Sequence, residues 1–262
     1  MSLLAELTAG AVADAAEREA EVPLAAVERL AGEQKDALDA TAFLARGETV
    51  RVIAEVKRAS PSRGDLAAIP DPALQAERYE EGGASAISVL TEGRRFKGSL
   101  ADLTAVKGRV GLPVLRKDFI ATPYQVAEAR AAGADLALLI VAGLERKALA
   151  ELFALVREFG MSPLVEAHSR DEASLAADLG APIIGVNARD LTDFSLDRDL
   201  FGRIAEHIPD GTIRVAESAV AVPDDVVHYR RAGADAVLIG EALVTGDPVA
   251  TLRSFISATE GI

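Results

Sequence analysis

The chain has 262 residues, half of them hydrophobic and only 4% aromatic, so it can bury one large core built mainly from Val, Ile, Leu and Ala. The 41 Asp and Glu outnumber the 28 Lys and Arg, and the formal net charge of −13 argues against nucleic acid and anionic membrane surfaces as partners. With no cysteine, disulfides, thiolate catalysis and Cys-ligated zinc are excluded.

The opening MSLLAEL lacks a basic segment leading into an apolar one, so no secretory signal is visible. No apolar run approaches the roughly 20 residues that span a bilayer. A cytoplasmic setting is the expectation. From Leu3 to about Ala45 the chain is rich in Ala, Glu and Leu and reads as helix, with Pro23 dividing two segments.

From Thr49 the texture changes. Eight short aliphatic runs recur, at 50–56, 85–90, 112–116, 135–141, 163–167, 182–187, 212–217 and 235–240. Amphipathic segments lie between them, at 71–81, 122–132, 144–159, 169–179 and 222–232. This alternation predicts βαβ units and a parallel sheet. Four runs follow a Gly-Ala pair, at Gly83, Gly133, Gly180 and Gly233, where glycine suits a left-handed helix cap. Eight units favour closure over an open doubly wound sheet, which would usually carry a G-x-G-x-x-G turn that this chain lacks. The expected fold is α/β, a single (β/α)8 TIM barrel over 49–262 with a helical N-terminal extension over 1–48, all one domain.

In such a barrel the chemistry gathers where the strands end. The first run ends in Glu55-Val56-Lys57, and alternation along a strand points Glu55 and Lys57 the same way, into the mouth. The third ends in Arg116-Lys117-Asp118, the fifth carries Glu166 and then His168, and the sixth ends in Asn187 followed by Arg189. The seventh ends in Glu217-Ser218 and the eighth in Gly240-Glu241. One charged strand end is usually just solvated. A whole ring of them points to a site, because charges at a barrel rim are costly unless paired.

The loops after the seventh and eighth runs suggest a phosphate cradle of backbone N–H groups, with Gly240 allowing close approach of an anion; a plain tight turn is the alternative for Gly240. An acidic protein repels anions at long range, so that cradle must rest on local cations and N–H groups. His207 and His228 fall in helical stretches and read as surface residues. His168 has no spaced ligand partners, and no metal site is expected.

Taken together, these residues resemble indole-3-glycerol-phosphate synthases. The likeness runs through IAEVKRASPSRG (53–64), SVLTEGRRFKGS (88–99), PVLRKDFI (113–120), LVEAH (164–168), IIGVNARDL (183–191), VAES (215–218) and LIGEALV (238–244). The resemblance implies a carbon–carbon lyase of tryptophan biosynthesis that needs no cofactor. Its substrate would be a small phosphorylated molecule and its working unit a monomer or weak homodimer. It casts Lys117 as general acid and Lys57 as a second cation that binds substrate and assists proton transfer. Glu166 becomes the carboxylate that stabilises a cationic intermediate and takes part in dehydration. Glu55 and Asn187 would position Lys57 and the substrate hydroxyls, and Glu217 would complete the rim. Ser60 and Arg189 would meet the substrate carboxylate, Phe96 and Phe119 its ring, and Ser218, Ala219, Gly240 and Glu241 its phosphate.

One departure stands out. The family usually reads Glu-Ser-Gly where this chain has Glu217-Ser218-Ala219, and alanine tolerates a positive φ poorly. Two other readings stay open. A phosphoribosylanthranilate isomerase would typically pair a Cys with an Asp, and there is no Cys. A non-catalytic phosphometabolite-binding barrel would have lost Lys117 or Glu166, and both are present.

Overall fold

The computed structural model describes residues 2–190 and 195–262. Leu191, the last residue of the 183–191 motif, lies outside them. Eight parallel strands close into a barrel in chain order: β1 (Arg51–Val56), β2 (Ala86–Leu90), β3 (Val114–Lys117), β4 (Leu136–Ile140), β5 (Ser162–Ala167), β6 (Ile183–Asn187), β7 (Ile213–Glu217) and β8 (Ala236–Ile239), which pairs back onto β1. Every aliphatic run forms a strand. The Gly-Ala pairs serve as read, since Gly83, Gly133, Gly180 and Gly233 all take positive φ, where a side chain would cost about 1 kcal/mol.

The N-terminal extension departs from the expected pair of helices. It forms α1 (Leu3–Glu21), α2 (Leu24–Gly32) and a short α3 (Ala40–Leu44), with 33–39 outside any helix. Tertiary hydrogen bonds explain the break. The Leu38 N–H donates to Asp135 Oδ1 at 2.8 Å, and Arg130 donates to the Lys35 carbonyl. Asp39 then caps α3, accepting from the Thr41 N–H at 3.0 Å. Ala40 and Leu44 are buried against Ile53, Leu115 and Leu136, so α3 closes the bottom of the barrel.

The five amphipathic segments become α4 (Pro72–Glu81), α6 (Pro123–Ala131), α7 (Arg146–Glu158), α8 (Arg170–Asp178) and α10 (Pro223–Arg231). The outer ring is completed by α5 (Leu100–Lys107), α9 (Leu200–Ala205), α11 (Glu241–Val244) and α12 (Pro248–Ser257). His207 sits in an exposed turn after α9 rather than in a helix. Among the described residues no helix is long and apolar enough to cross a membrane.

Strand alternation divides the core in two. Val52, Ala54, Val89, Leu139, Val165 and Ile184 point outward and pack under the helices. Ile53, Leu115, Leu138, Leu164, Val215 and Leu238 point inward and fill the barrel. Around the barrel, each odd strand advances two residues on the hydrogen-bonded partners of the previous one, a total offset of eight. That offset stacks the interior in layers of four. Ile53, Leu115, Leu164 and Val215 make one. Ser88, Leu138, Gly185 and Leu238 lie above it. The next layer is Glu55, Lys117, Glu166 and Glu217, and above it come Leu90, Ile140, Asn187 and Gly240. On the odd-numbered strands the aliphatic filling therefore stops at Ile53, Leu115, Leu164 and Val215, and the next inward position on each carries an ionisable group.

Asp135 ties the bottom together, since its carboxylate accepts from the Leu38 and Val114 N–H groups and from Lys107 Nζ at 2.6 Å. Replacing it by Ala leaves the buried Val114 N–H and the half-buried Leu38 N–H unpaired. Asp135→Ala is expected to lower unfolding free energy by about 3 kcal/mol, measured by denaturant titration.

Candidate active site

The strand ends open into a cavity of about 900 Å³, within the range of small-molecule sites. All of the residues to which the resemblance gives a role line it: Glu55, Lys57, Ser60, Phe96, Lys117, Phe119, Glu166, Asn187, Arg189, Glu217, Ser218, Ala219, Gly240 and Glu241. They come from seven separate segments of the chain, brought together by barrel closure.

The floor is the charged layer. Lys117 Nζ donates to Glu166 Oε2 at 2.7 Å and to Glu217 Oε2 at 2.8 Å. Burial works against the lysine's charge, yet Glu166, Glu217 and Glu55 outweigh it, so the ammonium holds its proton more tightly than an ordinary lysine. Burial also pushes Glu166 upward, but Lys117 and then His168 outweigh it and hold that carboxyl below the usual range. Glu217 goes the other way. Burial, reinforced by the charge of Glu166, overcomes the pull of Lys117 and raises its carboxyl to about 8. Two carboxylates facing one ammonium cannot both ionise easily, so one proton stays with the pair near neutral pH.

Small neighbours make room for this layer. A Cβ on Gly185 would collide with Glu217 Oε1. A Cβ on Gly240 would come within 2.6 Å of Glu55 Oε1 and 3.2 Å of Lys57 Nζ, the two partners of an ion pair 2.8 Å long. Gly240 has φ −123°, so a left-handed backbone does not call for glycine there. A side chain at 240 would press on the flexible ends of Glu55 and Lys57, so glycine leaves that pair its place.

Asn187 joins the floor to the rim. Its Nδ2 donates to Glu166 Oε1 at 3.2 Å, while its Oδ1 accepts from Ser218 Oγ at 2.8 Å and from the Arg189 N–H at 3.0 Å. Beyond Glu217 the chain turns through Ser218 at φ +69° and Ala219 at φ +54°. Neither is glycine, so this corner is strained by about 1 kcal/mol per residue.

The aromatic wall is Phe96 and Phe119, with ring centroids 6.1 Å apart and planes tilted by 42°. Buried carboxylates fix both backbones. Glu92 accepts from the N–H groups of Arg94, Arg95 and Phe96 at 2.7 to 2.9 Å. Asp118 accepts from the Phe119 N–H at 2.8 Å with one oxygen, and from Thr91 and the fully buried Arg116 with the other. Helix α1 leans over the same wall. Asp14 and Glu6 pair with Arg94 and Arg95 at 2.5 and 2.9 Å, and Leu3 and Leu7 reach the cavity.

Sequence reasoning passed over several lining residues. Arg63 lies in a hairpin of Ala59–Ser60 with Gly64–Asp65 and holds Glu241 Oε1 at 2.5 Å. Arg198 holds Asp225 at 2.5 Å. Arg63 sits inside the 53–64 motif, which was a usable signal. Arg198, Leu3 and Leu7 lay outside every motif. With Lys57 and Arg189 these arginines put four cations around the opening of a protein whose net charge is −13. Among the described residues no cluster of three or more His, Cys, Asp or Glu could hold a metal ion.

A family model described as indole-3-glycerol phosphate synthase matches residues 4–255. A protein of Leifsonia xyli subsp. xyli with that name is 67% identical over 255 residues, covering 97% of this chain and 98% of its own. One from Streptomyces griseus subsp. griseus is 57% identical over 259 residues, covering 98% and 96%. Among solved structures, a thiamine phosphate pyrophosphorylase from Pyrococcus furiosus superposes with a TM-score of 0.60 at 16% identity, over 81% of this chain and 96% of that one. An N-acetylmannosamine-6-phosphate 2-epimerase from Clostridium perfringens gives 0.60 at 15%, over 78% and 90%. At such identities the likeness is one of fold.

The raised carboxyl of Glu217 makes a signed prediction about stability. Folding binds a proton there between an unfolded value near 4.5 and a folded value of about 8. The contribution is full below the lower value and lost as pH rises through the upper one. Glu217→Gln is expected to flatten the decline in unfolding free energy between pH 5.5 and 8.5 relative to the parent chain, measured by urea titration at both pH values.

Proposed function

The chain belongs to the indole-3-glycerol phosphate synthase family, and from that premise we propose how its residues divide the reaction. The reaction closes 1-(2-carboxyphenylamino)-1-deoxyribulose 5-phosphate to indole-3-glycerol phosphate, with loss of CO2 and water, in tryptophan biosynthesis. The ring carbon bearing the carboxylate attacks the ketone. The ketone oxygen takes up a proton, CO2 leaves its bonding electrons to the ring system, and the new hydroxyl departs as water.

The observation that carries the assignment is the ammonium of Lys117, clamped between Glu166 and Glu217 at the floor of the cavity. An ammonium has three N–H donors. Two meet these carboxylates, and the third serves the ketone oxygen. An acid that holds its proton this tightly would not release it to a neutral ketone. It would release it to the far more basic alkoxide formed as the ring attacks, so the charge of the transition state is met by a donor already in place. Lys117 is thus the general acid, a role worth roughly 10²–10⁴-fold.

Glu166 stabilises the cation that develops when the aryl nitrogen pushes electrons into the ring, and it accepts a proton in the dehydration. Holding its carboxyl below the usual range keeps it ionised for that work. Lys57 is the second cation, and Glu55 and Asn187 hold it and the chain hydroxyls in place. Phe96 and Phe119 grip the aromatic ring. Ser60 and Arg189 receive its carboxylate, which a guanidinium can bind bidentately. The phosphate rests on backbone N–H groups at Ser218, Ala219, Gly240 and Glu241. The carboxylate of Glu241 is taken up by Arg63, so its part is played by the main chain. Folding the flexible ribulose chain over the ring adds a proximity effect. All of these residues come from one chain, and we read the working unit as a monomer or weak homodimer.

Lys117→Met is expected to abolish the fluorescence of newly formed indole-3-glycerol phosphate while leaving far-UV circular dichroism unchanged. Near-normal turnover in that variant would overturn the assignment of the acid. Ala219→Gly is expected to relieve the left-handed strain, raising unfolding free energy by about 1 kcal/mol and lowering KM with kcat unchanged, as steady-state kinetics would register.

A further inference from the structure

His168 has no part in the scheme above, yet it sits directly behind Glu166. The side chain is mostly buried and does not line the cavity. Its Nε2 lies 3.4 Å from Glu166 Oε1, and its Nδ1 lies 3.7 Å from Glu172 Oε2 on α8. Neither ring nitrogen completes a hydrogen bond. The main-chain N–H of His168 donates to Glu172 Oε2 at 2.8 Å, which fixes the backbone and leaves the ring between two carboxylates.

The same arrangement occurs across the barrel. On β1 a cation follows an inward carboxylate at the second position, and Lys57 Nζ meets Glu55 Oε1 at 2.8 Å. On β5, four strands away, His168 follows Glu166 at the same spacing. Glu55 and Glu166 belong to one interior layer, so each carboxylate of the pair has its own cation one step further along the strand.

We propose that His168 is a positioning residue for Glu166, the counterpart of Lys57 on Glu55: in its protonated form it keeps Glu166 ionised and holds Oε1 beside Asn187, leaving Oε2 to Lys117. This rests on the role given to Glu166 above. The groups that face the imidazole agree with it. Burial disfavours its charge, but Glu172, Glu166 and, more distantly, Glu217 outweigh burial and raise its titration above that of a free histidine. Reciprocally, His168 is among the charges that hold Glu166 down.

The test is the pH dependence of kcat in H168Q, which removes the charge and keeps a donor, and in H168K, which restores a cation in the manner of Lys57. In H168Q the acid limb of kcat should move up by about 1 pH unit, the shift expected on losing an opposite charge at this distance, with little change in KM. H168K should bring the limb back toward the parent position. Within an E166Q background, adding H168Q should lower kcat no further. A purely structural histidine would change the unfolding midpoint without moving the limb. An H168Q profile that superimposes on the parent, or a failure of H168K to restore the limb, overturns the proposal. If E166Q itself keeps parental turnover, the proposal falls together with the role of Glu166. A large loss in E166Q beside an unmoved H168Q profile removes His168 alone.

Discussion

An eight-stranded barrel fills its interior in layers of four side chains, and in this chain one whole layer is ionisable. Glu55, Lys117, Glu166 and Glu217 occupy positions that the aliphatic layers below assign to Ile53, Leu115, Leu164 and Val215. Removing three carboxylates from water is costly, and one lysine at hydrogen-bonding distance from two of them offsets the cost only in part. The remainder is settled by a proton kept on the pair, by Asn187 on the free oxygen of Glu166, and by His168 behind it. Much of the upper barrel follows from housing that layer. Gly185 and Gly240 leave it space, and the Glu55–Lys57 pair lies where a side chain on β8 would otherwise stand.

The substrate carries a carboxylate and a phosphate, and the protein as a whole is acidic. The cations are accordingly local. Lys57, Arg63, Arg189 and Arg198 lie around the opening, and two of them are steadied by Glu241 and Asp225. Such an arrangement admits an anion without making the whole surface attractive to polyanions. The aromatic wall is built on the same economy, since a carboxylate under each loop, Glu92 and Asp118, satisfies main-chain donors that would otherwise be buried alone.

Helix α1 belongs to this architecture as much as any barrel helix does. Through Glu6 and Asp14 it meets the loop carrying Phe96. Further along, Arg18 grips Glu128 of α6 through two hydrogen bonds of 2.5 and 2.8 Å, and Glu128 in turn faces Arg116, the neighbour of Lys117 on β3. The extension therefore contacts both the aromatic wall and the strand that carries the acid.

What the sequence determined by itself is what depends on local periodicity. Eight continuous aliphatic runs became eight strands, four Gly-Ala pairs became left-handed caps, and alternation placed Glu55 beside Lys57. Strand ends identified the ring of polar residues because a barrel gathers those ends at one mouth. Tertiary structure decided the rest, since it concerns partners far apart in the chain. The break at 33–39 is made by Asp135, roughly a hundred residues away. The space left by Gly240 is used by Glu55 and Lys57, far away in the chain, and its own φ does not call for glycine. The raised carboxyl of Glu217 follows from its burial and the charge of Glu166, set against the pull of Lys117, and barrel closure brings the three groups together from three strands. Pattern along a chain fixes which way a side chain points, whereas its charge state and the space beside it are set by whatever points back.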